Sequence, residues 1–256
     1  MNETIKYINP PIVEALIDIQ VDPALTISPA EIESLHKELS EKYPNKNERR
    51  RWETKIELKE GASVVDATPK DQGIDGYQFW SPDKKQICQY RLNGFTLSRL
   101  KPYESWEKLL PEAMELWEIY QHRFEPVNTA RFAVRFINLI EIPQEKIKLE
   151  DYFIKPPASV NNASEGLEHF FQRLSIRLND NINAITTLAL QDRNSLKTTV
   201  LLDIDVSSNI NIKLPLETGE IKRILKELHD HLINIFEKSI TQKTRNLFNE
   251  RLSTNN

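Results

Sequence analysis

Glycine is scarce in this chain, with 6 in 256 residues, well under the usual ~7%. They stand apart, at Gly61, Gly73, Gly76, Gly94, Gly166 and Gly219. Loops that cradle nucleotide phosphates need glycines at fixed close offsets, for positive φ and close backbone approach. Neither a Walker loop nor a G-x-G-x-x-G pattern is present, so phosphate chemistry here would have to come from side chains. Cysteine is scarcer still, and Cys88 is the only one. That excludes an intrachain disulfide and a thiolate zinc cluster. Its strand-like setting reads as a buried thiol rather than a nucleophile. No apolar run approaches the roughly 18 residues that cross a bilayer. The start, Met1-Asn2-Glu3-Thr4-Ile5-Lys6, lacks the basic-then-apolar order of a signal peptide. A net charge of −4 on 28% charged residues supplies no global field for nucleic acid or an anionic membrane. The expectation is a cytoplasmic chain with no membrane partner and no cofactor.

The length fits one large domain or two small ones. Asn9-Pro10-Pro11 marks a strand entry, because two prolines cannot donate to a ladder. Val13, Ala15, Ile17, Ile19 and Val21 then alternate with Glu14, Leu16, Asp18 and Gln20, as in a half-buried strand. Ser28-Pro29-Ala30-Glu31 reads as a capping box. It opens a helix whose stripe is Ile32, Leu35, Leu39 and Tyr43. A strand follows over residues 51–58, then a loop over 60–75 and a short aromatic strand at 77–80. Asn93-Gly94, between two apolar runs, predicts a hairpin. Ser105 is positioned to cap a helix running to Phe124, with Pro111 expected to kink it or to end a short first turn.

From Asn128 the plan restarts. A strand reaches Ile142, and a short helix lies near Leu149–Phe153. A polar loop over 156–164 is the best candidate for disorder or a mobile flap. Strands follow at roughly 168–178, 182–191 and 197–207. A long helix begins at Thr218 or Gly219, and a last helical piece runs from Thr241 to Arg251. The expected fold class is α+β, built from two tandem similar halves, residues 1–126 and 127–256. Each half reads strand, helix, antiparallel meander, long helix. The halves should form a pseudo-dimer with helices packed on antiparallel sheet and fold as one cooperative unit.

Asp203 and Asp205 share one strand face, and so do Glu14 and Asp18. Such carboxylates can hold a divalent cation with a substrate phosphate, or simply pair with basic neighbours. Arg131 and Arg135 also share a face and could clamp an anion, or pair with Asp203 and Asp205 if their strands are adjacent. Asn138 falls on the opposite face unless a bulge intervenes. Arg49, Arg50, Arg51 and Trp52 form the most basic stretch, a candidate nucleic-acid contact or a solvated strand entry. Tyr77, Phe79, Trp80 and Tyr90 could stack bases or fill a core. The five histidines show no zinc-ligand spacing, so no metal is assigned.

Three segments carry a resemblance. Pro10-Pro11-Ile12-Val13-Glu14-Ala15 resembles a P-P-I-x-E-A entry motif. Arg131-Phe132-Ala133-Val134-Arg135-Phe136-Ile137-Asn138 resembles R-x-x-x-R-[YF]-x-N. Leu202-Asp203-Ile204-Asp205, with Leu228-His229 and Phe236-Glu237 ahead of Ile240-Thr241, resembles an L-D-x-D, L-H and F-E-x-x-I-T pattern. In order and spacing the chain is similar to a sporadically distributed family of uncharacterised bacterial proteins of similar length. Phe136 departs from it, standing where the family often has tyrosine. The resemblance implies an intracellular accessory protein and singles out Glu14, Arg131, Arg135, Asn138, Asp203 and Asp205. The favoured function is a non-enzymatic binding or interaction module with a protein partner, of a defence or antitoxin-like kind. The alternatives are a metal-dependent phosphoesterase or nucleotide hydrolase on the strand carboxylates, and a nucleic-acid-binding protein.

Overall fold

The computed structural model of the protein describes residues 5–22, 27–57, 66–157 and 168–252. The chain opens with a short strand, β1 (Ile5–Tyr7), and then β2 (Ile12–Val21). Pro11 ends the approach to β2, and its carbonyl still accepts from the Leu139 N–H at 3.0 Å. Ala15, Ile17 and Ile19 are fully buried, as their alternation requires. Ser28 caps α1 (Pro29–Ser34), and both hydrogen bonds of the capping box are present. The helix breaks at Leu35 and resumes as α2 (His36–Leu39). Two short pieces therefore carry the stripe expected of one helix, and Ile32, Leu35, Leu39 and Tyr43 are all buried.

The next segment corrects the sequence reading. β3 (Asn45–Glu57) and β4 (Asp66–Trp80) form a long hairpin, so residues 66–75 are strand and not loop; residues 58–65 lie outside the described residues. The reason is positional. Only Gly76–Trp80 of β4 pair with the following strand, β5 (Gln86–Arg91), and the rest of β4 pairs with β3 alone. Lys70, Asp71 and Gln72 are exposed, so this stretch of β4 carries no apolar period to read. Tyr77, Phe79 and Tyr90 are buried in the core rather than free to stack a base.

β6 (Gly94–Leu100) follows a two-residue turn at Leu92 and Asn93, one residue earlier than Asn93-Gly94 predicts. Gly94 is the first strand residue, opposite both Arg91 and Gln20. Its φ is +142°, and an added Cβ would sit 2.2 Å from the Ile19 carbonyl oxygen. α3 (Trp106–Phe124) then runs through Pro111 as one helix, and Ser105 makes no side-chain capping bond.

The second half continues with β7 (Thr129–Ile142), α4 (Leu149–Tyr152), β8 (Phe171–Arg177), β9 (Ile182–Arg193) and β10 (Thr198–Ser208). Most of the expected flap, from residue 158 on, lies outside the described residues. α5 (Thr218–Ser239) and α6 (Gln242–Leu247) follow. The last helical piece is shorter than expected, because β11 (Glu250–Leu252) returns to pair with β1.

The main sheet has nine strands in the order β3-β4-β5-β6-β2-β7-β10-β9-β8, every pair antiparallel. One sheet therefore runs through both halves, joined at β2 and β7. α5 packs on β7 and β10, α3 on β6, and α1 on β4. Their apolar stripes join one cluster with Ile17, Tyr90, Leu97, Phe132, Val134, Leu202 and Ile204. Cys88 belongs to it, and burial pushes its thiol well above the usual range. The alternate residues of these strands face the other way, and many are polar. Among the described residues no helix is long and apolar enough to cross a membrane.

The two positive-φ glycines can be compared by substitution. Gly94→Ala should cost about 3 kcal/mol, because it meets both backbone strain and a carbonyl oxygen. Gly73 has φ +90° and nothing within 4 Å of an added Cβ, so Gly73→Ala should cost only about 1 kcal/mol. Urea midpoints that rank the two variants in the reverse order would refute this account of the hairpin.

Candidate functional site

The residues singled out by sequence converge on the centre of the sheet, on the face away from α3 and α5. Arg131 and Arg135 are four apart on β7, so both project from that face. β10 lies alongside with Asp205 opposite Arg135 and Asp203 opposite Ile137. Each arginine therefore reaches an aspartate diagonally. Arg135 donates from Nε to Asp203 Oδ1 at 2.8 Å and from Nη2 to Oδ2 at 2.7 Å. Arg131 Nη2 donates to both oxygens of Asp205, at 2.6 and 2.8 Å. The Asp203 hydrogen bonds, with the charges of Asp203, Asp205 and Glu14, outweigh burial and leave the Arg135 guanidinium even more firmly protonated than usual.

β2 flanks β7 on its other side and carries Asp18, which is 5% exposed. Arg131 Nη1 donates to Asp18 Oδ2 at 3.2 Å. Asp18 Oδ1 accepts from Arg91 Nη2 at 2.7 Å and from the Thr96 hydroxyl at 2.6 Å. Burial alone would raise the Asp18 carboxyl. The Arg91 charge, the Thr96 hydroxyl and Arg131 outweigh it and hold the group below the ordinary carboxylate range. The chain of contacts Arg91–Asp18–Arg131–Asp205 thus crosses the pairing of β2 with β7.

Arg91 and Thr96 were not singled out by the sequence reading. Arg91 lies opposite Gly94 on β6, which offers no side chain to fill the space between Arg91 and β2. The guanidinium passes over β6 to Asp18. Only a strand order β5-β6-β2, with a glycine in that row, could have indicated it.

Glu14 lies on the same face, half-buried, and its charge acts on Arg135. Asn138 is a correction: it is not part of this network. Its parity directs it to the helix side, where it is 1% exposed and donates to the Leu202 carbonyl at 2.9 Å. It stitches β7 to β10. The other motif residues also form joints. Pro10 and Pro11 line a cavity of about 540 Å³ with Lys101, Tyr103 and Phe248. His229 stacks on Trp106 at 4.2 Å, and burial holds it below the usual histidine range. Glu237 accepts from Tyr7 at 2.9 Å and from Arg245 at 3.0 Å.

The hydrolase reading needs Glu14, Asp203 and Asp205 to converge with oxygens free for a cation. Instead each aspartate grips a guanidinium. Among the described residues no three acidic, histidine or cysteine side chains could hold a metal ion together. This geometry gives that reading no support. The basic stretch is also mostly committed. Arg49 donates to Asp75 at 2.9 Å, and Arg50 to Asp71 at 2.5 Å. Arg51 and Trp52 remain exposed on β3, Trp52 by 60%.

Asp18→Asn leaves the Arg91 guanidinium buried against a neutral partner and should cost about 3 kcal/mol at pH 7. Replacing both, Asp18→Leu with Arg91→Met, should recover most of that loss. The folded carboxyl lies below its unfolded value near 3.9. Its contribution is therefore complete above that value and fades as the pH falls through the depressed one. Wild-type stability should drop more between pH 5 and about pH 3 than that of Asp18→Asn. Parallel curves from urea titrations at both pH values would refute the assignment.

No protein family model, curated protein or solved structure matches the chain.

Proposed function

We propose that the chain is a non-enzymatic interaction protein that docks a partner at the β8 end of its sheet. One observation carries this. Phe171, Leu174 and Ile176 on β8 are 70%, 46% and 37% exposed, and Leu196 in the β9–β10 turn is 80% exposed. Leu174 and Ile176 share one face of β8 and Phe171 the other, so large apolar side chains stand in water on both sides of this edge, which favours a contact surface over a bare one. The central acids, by contrast, are engaged by arginines, which suits a structural role. An accessory protein of the defence or antitoxin kind would use such a surface.

We also read residues 1–126 and 127–256 as a duplicated unit forming a pseudo-dimer. Each half contributes one strand, β2 or β7, to the central joint. Outward from it run β6, β5 and β4 on one side and β10, β9 and β8 on the other.

A photo-crosslinking residue at position 174 should give a discrete adduct in cells, and one at Glu227 on the exposed side of α5 should not. The partner identified from that adduct, once purified, should bind the Phe171→Ser, Leu174→Ser variant at least tenfold more weakly. Adducts alike at both positions, or unchanged binding, would remove the reading.

A second reading rests on exposed Arg51 and Trp52, which suit stacking on single-stranded nucleic acid. Binding of an oligothymidylate should then weaken steeply with salt and with Trp52→Ala. A response flat in salt would exclude it.

A further inference from the structure

The two ends of the sheet are unequal. In the first half β4 is covered by β3. Among the described residues the second half has no counterpart of β3, so β8 pairs with β9 alone. We infer that β8 takes an acidic, extended segment of a partner protein, added as a tenth strand at the position β3 holds in the first half. The inference rests on the interaction reading above and names the partner's chemistry.

The backbone is set for it. Leu190 N–H donates to the Phe170 carbonyl at 3.1 Å, and Leu178 N–H to the Ile182 carbonyl at 2.9 Å. In an antiparallel ladder the bonded residues alternate. Even-numbered residues of β8 therefore bond to β9. Phe171, Arg173, Ser175 and Arg177 turn their N–H and C=O groups outward, as a template for strand addition.

The side chains select the charge. Arg173 and Arg177 project on one face, and neither forms an ion pair with a described residue; Arg173 reaches only the Thr187 hydroxyl, at 3.5 Å. On the other face stand Leu174 and Ile176. The covered pair of the first half shows the matching logic with the signs exchanged. There basic β3 pairs with acidic β4, as Arg49 with Asp75 and Arg50 with Asp71. Basic β8 calls for an acidic strand, with acids along one face and apolar residues along the other. A second copy of β8 fits poorly. Full antiparallel self-pairing sets Phe171 against Arg177 and Arg173 against Ser175, which gathers four guanidiniums on one face.

The probe is a capped peptide, Thr-Glu-Val-Glu-Val-Glu-Thr, with its lysine counterpart Thr-Lys-Val-Lys-Val-Lys-Thr as control. The acidic peptide should bind the full chain at least tenfold more tightly. It should protect the amides of Arg173, Ser175 and Arg177 from hydrogen exchange. Ser175→Pro removes one outward N–H while leaving the β9 ladder intact, and should weaken binding at least tenfold at an unchanged Tm. Should that variant not fold, Arg173→Glu with Arg177→Glu tests the same point by reversing the peptide preference. Equal binding of both peptides, protection elsewhere, an unaltered preference in the charge-reversed variant, or a β8-mediated dimer in sedimentation would each overturn the inference. Loss of the acidic peptide while the partner crosslinked from position 174 still binds defeats only the acidic-strand inference. Loss of both defeats the interaction reading as well.

Discussion

The antiparallel pairing of β2 with β7 is the constraint on which the rest of the structure depends. It joins the strands that precede α3 to those that follow it in one sheet, and its register decides what each face carries. Asp18 lies opposite Ala133 and Ile17 opposite Val134. A slip of one residue would turn Ala15, Ile17 and Ile19 out of the core and send Asp18 into it. Irregularities between Ile12 and Glu14 and between Gln20 and Val21 bound the regular stretch at both ends. Arg131 adds a check from the other face. It meets Asp18 on one flank and Asp205 on the other only when three strands hold this register. Buried ion pairs are weak evidence of stability, because desolvation offsets much of the attraction. Their role here is better understood as specifying register, since a misaligned sheet would leave a charge buried without its counterpart.

The same constraint explains what could be read from the sequence. β2, β7 and β10 were legible because one face of each is packed, so apolar residues recur at period two. The long helices were legible for the corresponding reason at period 3.6. Residues 66–75 of β4 were not, although the facing residues, within 51–58, read as a strand: Lys70, Asp71 and Gln72 are exposed, and a stretch that leaves the core behind loses the pattern along with the burial. β11 was missed because a three-residue strand is defined by its partner β1 and not by its own composition. At the site, parity alone separated Asn138 from Arg131 and Arg135. Arg91 was beyond reach, because its role depends on which strand lies two places away and on the space opposite Gly94.

The helix-free face has its own physical logic. Asp18, Thr96, Ser98, Thr187 and Asp203 are nearly buried although they face away from the apolar core. Long arginine stems can lie over such positions and carry their charged ends toward the acids. The face is thus closed largely by its own side chains. Around β2, β7 and β10 its positive and negative groups answer one another, so that central part concentrates no field of either sign. That balance fits the modest net charge of the whole chain and argues against an extended phosphate-binding surface there. The glycine scarcity fits as well. Gly73, Gly76 and Gly94, half of the few glycines, serve the β3–β6 hairpins, where positive φ or close backbone approach is needed.

What remains is the contrast between the two edges of the sheet. An unpaired strand is a hazard, and proteins guard it with charge, irregularity or cover. β3 is guarded in two of these ways. It carries Arg49, Arg50 and Arg51 in succession, and its register shifts twice around Arg50. β8 is regular from Phe171 to Arg177 and exposes three large apolar side chains. Among the described residues its only guard is the pair Arg173 and Arg177, charged to repel a second basic strand and to attract an acidic one. A guard that depends on sign discriminates among partners instead of excluding them all. The unequal treatment of the two described edges of one continuous sheet is what the proposed interface at β8 requires.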